Sequence, residues 1–152
     1  DEFPEFLAQH WLLGEPPPNV WIGATVEGDA QRRRVEALKR IPAAGRFLSV
    51  EPMLAPVSLR WTGYWPESAP YTAMNPSGTT DHLDGLRQLD WVIAGCESGP
   101  GRRPCDTDWL RWLRDDCTEA GVPFMLKQMD VSGRVEQHCP PLDGKVWAEV
   151  PR

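Results

Sequence analysis

The sequence contains no C-x-x-C pair. Its four cysteines, Cys96, Cys105, Cys117 and Cys139, are widely and unevenly spaced along 152 residues. This spacing argues against a zinc knuckle or a self-contained cluster motif and predicts reduced thiols in a cytoplasmic protein. Long apolar runs are missing too: none approaches the ~18 residues of a membrane span. The opening Asp-Glu-Phe-Pro-Glu has neither the basic nor the apolar region of a secretory signal. Positive charge is scarce, with 16 Lys and Arg against 22 Asp and Glu and a formal net charge of −6. A negative field disfavours non-specific binding of nucleic acid, although a local basic patch remains compatible with it. Of the three histidines, His10, His82 and His138, none falls at the end of a predicted strand, and no serine sits in a G-x-S-x-G elbow. A nucleophilic triad therefore has no support.

What is present is a globular composition, 41% hydrophobic and 25% charged, of a length expected for one domain. Residues Pro4–Leu13 read as the tail of a helix, stopped by Gly14 and the run Pro16–Pro18. A near-continuous apolar strand follows at Val20–Val26, then Asp29 as N-cap of a helix Ala30–Ile41 that Pro42 terminates. Arg32, Arg33 and Arg34 are consecutive, so they fan around this helix as a solvated surface rather than form a phosphate patch. A second strand is expected at Arg46–Val50, a third at Trp91–Ala94 and a fourth at Phe124–Gln128. A helix Thr107–Ala120, closed by Gly121 as C′ residue, separates the last two, with an apolar face of Trp109, Trp112, Leu113, Cys117 and Ala120. Leu142–Lys145 reads as a turn in a C-terminal hairpin or extension. Between the second and third strands, residues 61–84 form a proline-rich irregular insertion, either a lid or a tolerated loop. Strands alternating with crossovers predict an α/β domain, either half of a TIM-like barrel or a small open parallel sheet.

Each predicted strand runs into one charged residue: Glu27, Glu51, Glu97 and Lys127. In parallel α/β folds the carboxyl edge is where chemistry is placed. Three carboxylates and an ammonium suit two tasks there. Glu27, Glu51 and Glu97 are candidate ligands of Mg²⁺ or Mn²⁺, with Lys127 as acid or base. Alternatively, the glutamates take the amines and hydroxyls of a polar ligand and Lys127 takes its carboxylate. The bland account is that each glutamate caps a loop or faces water. The loop Gly99-Pro100-Gly101-Arg102-Arg103 precedes a helix and offers backbone amides to an anion, but it matches no Walker or dinucleotide pattern and reads equally as a structural turn. A further possibility is a non-enzymatic module that oligomerises through an open sheet edge.

Several ordered blocks carry a family resemblance: Asn19–Gly23 with Val26-Glu27, Arg46–Pro52, Asp90–Gly95 with Glu97–Pro100, Ala120–Phe124, Lys127-Gln128, and Leu142–Gly144 with Trp147 and Pro151. Together they resemble an uncharacterised phage and prophage family of radical-SAM-like barrel proteins. The resemblance implies that the chain is the C-terminal half of a longer barrel, the half that contacts S-adenosylmethionine and substrate. The cysteine-rich segment for a [4Fe–4S] cluster would belong to the N-terminal half, and its ligands have no counterpart in this sequence. A missing N-terminal half, or a second copy, is then a partner, and the substrate is a small molecule or a nucleic acid. The resemblance places Glu27, Glu51, Glu97 and Lys127 on family motif positions; Gly95, Ser98, Gly99 and Arg102 are the candidate cofactor-binding residues. Two departures stand out. Cys96 replaces a family glycine, and a thiol beside a carboxylate is expected to have a raised pKa and to be no nucleophile. Met129-Asp130 replaces Trp-Gly, which changes the far wall of the pocket.

Overall fold

The computed structural model describes residues 16–59 and 85–151; the helix tail expected at Pro4–Leu13 and the insertion at 61–84 lie outside the described residues. Four parallel strands stand side by side in chain order: β1 (Trp21–Thr25), β2 (Gly45–Val50), β3 (Trp91–Gly95) and β4 (Phe124–Val131). Strand β5 (Arg134–Gln137) joins β4 antiparallel, and β6 (Pro141–Leu142) and β7 (Lys145–Val146) make a separate hairpin. The fold is α/β with a mostly parallel open sheet, and the described strands do not close into a barrel.

Helix α1 (Arg33–Lys39) is shorter than the expected Ala30–Ile41, because residues Asp29–Gln31 form a 3₁₀ turn instead. Asp29 is not its N-cap. The Asp29 carboxylate accepts from the Ser58 amide at 3.1 Å and pairs with Arg32 at 2.8 Å, which ties the turn to the next loop. Helix α2 (Thr107–Ala120) has the expected bounds, with Asp106 accepting from the Asp108 amide at 2.9 Å and Gly121 closing it at φ 69°. Its buried stripe is Leu110, Leu113 and Cys117, an i, i+3, i+7 series, whereas Trp112 is 57% exposed. The wide indole one position from the stripe had mimicked a core residue.

Strand order and crossovers together set the layers. Adjacent parallel strands joined by right-handed crossovers place successive helices on one side of the sheet. Val35 and Leu38 of α1 and Leu110, Leu113 and Cys117 of α2 accordingly share one core with Leu48, Val50, Val92, Ala94, Phe124 and Leu126. The opposite face carries Trp21, Gly23, Gly45, Phe47, Trp91 and Ile93, by the period-two alternation of strands. Here the Phe47 and Trp21 rings lie over glycines of the neighbouring strand. A Cβ on Gly23 would lie 2.3 Å from the Phe47 ring, and one on Gly45 would lie 2.3 Å from the Trp21 ring.

The β4 edge is covered along its length. Residues Gln128–Val131 pair with β5, while Leu126 and Phe124 bond Trp147 and Glu149 of the C-terminal segment. The β4–β5 hairpin was not anticipated from sequence. Its signal is the Ser132-Gly133 pair, at φ 52° and 83°, the two-residue turn that right-twisted strands favour. The expected hairpin at Leu142–Lys145 is present, with Asp143 and Gly144 at φ 55° and 79°.

Candidate functional site

The site begins at a bulge. Ala94 pairs with Leu126, but Gly95 pairs with Gln128, so Lys127 is an extra residue in β4. Strand β4 runs on to Val131, which puts Lys127 at the end of the parallel pairing rather than at the end of the strand. A bulge breaks the alternation of side chains and re-aims them. Gln128 and Met129 are buried in succession, whereas Lys127 is exposed. Lys127 and Gln128 both reach Glu51.

Glu51 follows β2 and Lys127 sits on β4, with β3 between them. Strands lie about 4.8 Å apart, so these backbones are roughly 10 Å apart. The span is bridged because the intervening residue is Gly95. A Cβ there would meet Gln128 Cγ at 3.1 Å. Over this gap Lys127 Nζ donates to Glu51 Oε1 at 3.0 Å, and Gln128 Nε2 donates to the same oxygen at 3.0 Å. Gln128 Nε2 also donates to the Cys96 carbonyl at 2.7 Å. The Lys127 side chain is 54% exposed and that of Glu51 17% exposed, so the pair opens to solvent on the lysine side. Sequence reading had Lys127 and Glu51 in view but gave Gln128 no role. The only available signal was its position next to a charged residue at a strand end.

Glu97 is placed differently. Both of its oxygens are occupied by Arg103: Nε and the backbone amide donate to Oε2 at 2.9 and 2.7 Å, and Nη2 donates to Oε1 at 2.7 Å. The Arg103 hydrogen bonds hold the Glu97 carboxyl down at about 2. Glu97 therefore closes the glycine-rich loop ahead of α2 and is not grouped with Glu51. Glu27 accepts from the Leu54 and Ala55 amides through its backbone carbonyl, at 2.8 and 3.2 Å, and acts electrostatically on Arg103. Of these charges Glu51 and Lys127 thus meet, together with the Gln128 amide, while Glu97 is held by Arg103. Among the described residues no group of three His, Cys, Asp or Glu is placed to hold a metal ion.

Of the residues expected on the cofactor side, Gly95 is buried against Gln128. Ser98 and Gly99 lie in the exposed loop after β3, Gly99 at φ 103°. Arg102 is committed elsewhere: it pairs with Asp130 at 3.2 Å and donates to the Gly133 carbonyl, tying the loop to the β4–β5 turn. None of the four cysteines forms a disulfide. Burial, with Asp130 second, pushes the Cys96 thiol up, in keeping with an inert side chain. Burial likewise raises Cys105, to about 12. No helix among the described residues is long and apolar enough to cross a membrane.

Comparison with known proteins adds one positive finding. A family model described as "Protein of unknown function (DUF5131)" matches residues 2–151, so the chain belongs to that family. No curated protein and no solved structure matches the chain.

Proposed function

We propose that this member of the family forms the ligand-contacting wall of a phage-type, radical-SAM-like enzyme, completed by an N-terminal half that carries the iron–sulfur cluster. Its carboxyl strand edge binds a zwitterionic small molecule of the S-adenosylmethionine type. Lys127 takes the ligand's carboxylate, and Glu51 takes its ammonium or a hydroxyl.

The observation that carries this reading is the divided Glu51 carboxylate. Oε1 accepts from Lys127 and Gln128, while Oε2 takes no hydrogen bond among the described residues. A fixed carboxylate with one oxygen to spare, beside an ammonium that uses one of its three donors, matches the two ends of a zwitterion. Support also comes from the layers: the described helices pack on one face, and continuing the strand alternation puts Glu51 on the other. Parallel barrels carry their helices outside and their sites at the carboxyl ends. A divalent cation on Glu51 would compete with the Lys127 ammonium, so the metal reading stands second.

The test is thermal unfolding with S-adenosylmethionine, and separately with Mg²⁺ or Mn²⁺. Ligand at 100 times its Kd stabilises by about 2.7 kcal/mol, which raises Tm by about 5–10 °C for a chain of this size. Lys127→Ala and Glu51→Gln should each reduce the shift. No shift at millimolar S-adenosylmethionine sinks the reading. A shift with Mg²⁺ or Mn²⁺ alone, lost in Glu51→Ala, replaces it with the metal-assisted enzyme. A stable dimer by light scattering with no ligand effect replaces it with an oligomerising module.

A further inference from the structure

Gln128 is the one buried polar side chain among the described residues, 6% exposed. A buried carboxamide is kept where its hydrogen bonds are made, and here the donors are accounted for by named partners. Nε2 spends one proton on the Cys96 carbonyl at 2.7 Å and the other on Glu51 Oε1 at 3.0 Å. Both acceptors lack a proton, so the nitrogen end must face them and the orientation of the amide is unambiguous. The first bond anchors Gln128 to the backbone at the end of β3, and the second transmits that anchor to a carboxylate at the end of β2. Lys127 cannot do the same: its ammonium sits on a flexible, half-exposed stem.

We infer that Gln128 is the positioning residue of this site. From the bulge it crosses Gly95, grips Glu51 Oε1 and so aims Oε2 at the open edge, where a ligand's N–H or O–H donor would dock. The inference deepens the proposed reading of the site and rests on it only for the ligand; the positioning itself is measurable without one.

The experiment follows the Gln128 side-chain amide by ¹⁵N NMR, with a crystal structure of Gln128→Met as the second arm. In the wild type both Nε2 protons should exchange with solvent at least about tenfold more slowly than those of exposed glutamines. Glu51→Ala should release one proton and leave the Cys96-directed proton protected. In Gln128→Met, which keeps length and apolar volume without the donor, the Glu51 carboxylate should rotate away from its wild-type direction while Lys127 follows it. Free exchange of both protons in the wild type, or an unchanged pair in Glu51→Ala, overturns the inference. So does a Glu51 carboxylate that keeps its place in Gln128→Met, since Lys127 alone would then suffice. If S-adenosylmethionine fails to bind while the proton pattern holds, the ligand reading falls and the positioning role stands.

Discussion

Removing Glu51 should destabilise the protein more than removing Lys127, although the two form one ion pair. Lys127→Ala removes a half-exposed ammonium, and exposed pairs of this kind contribute about 0–1 kcal/mol. Glu51 keeps Gln128 as its donor, so nothing buried is orphaned. In Glu51→Ala the buried Gln128 amide loses one of two acceptors, and an unmet buried donor costs about 1–3 kcal/mol. Together with the lost pair, the expected cost is about 1–4 kcal/mol, against less than about 1 kcal/mol for Lys127→Ala. Glu51→Gln retains an acceptor oxygen and should lie between them. The assay is urea unfolding, comparing midpoints at constant slope. A double-mutant cycle of Glu51→Ala with Gln128→Leu should return a coupling of about 1 kcal/mol, because the two side chains are in direct contact. The reasoning is refuted if Lys127→Ala costs as much as Glu51→Ala, or if the Glu51–Gln128 coupling is zero.

Three further predictions concern the surroundings. Glu97 titrates at about 2 in the folded chain against 4.5 as its ordinary value, so its contribution to stability is complete above about pH 4.5 and disappears as pH falls through about 2. A side-chain ¹³C titration should find that midpoint, and Arg103→Ala should return it toward the ordinary carboxylate range. Leu113→Ala opens a cavity under α2 at a fully buried position and should cost about 2–5 kcal/mol by urea unfolding. Asp143 accepts from Arg111 at 2.9 Å and Arg114 at 2.6 Å and links α2 to the β6–β7 turn. Asp143→Asn tolerates the same left-handed backbone and should cost less than about 1 kcal/mol, a difference that shrinks in high salt.

Local chemistry along the chain was enough to predict α2. The Asp106 cap, the Gly121 stop and the apolar spacing all act within a few residues. The four parallel strands were equally legible, because strands covered on at least one face read as apolar runs. The ends of the first three, ahead of Glu27, Glu51 and Glu97, followed from the same runs, whereas β4 continues past Lys127 to Val131. The limits of α1 were not legible, since Asp29 was drawn into bonds with Ser58 and Arg32, one of them 29 residues away. Strand β5 was missed because its turn, Ser132-Gly133, lies beside a run too polar to suggest a strand.

The grouping of the charges belongs to tertiary structure alone. Three glutamates at matching strand ends look equivalent in a sequence, yet Glu97 is taken by an arginine six residues away, whereas Glu51 meets partners 76 and 77 residues away. That second meeting needs a strand order that interposes Gly95 and a bulge that turns Lys127 and Gln128 toward the same carboxylate. The sequence by itself determined the four parallel strands and the three glutamates that follow the first three of them, because propensity, capping and apolar periodicity are short-range. Register, the bulge and the close approach of a side chain to a glycine arise only when strands from distant parts of the chain are paired, and they decided which of those charges meet.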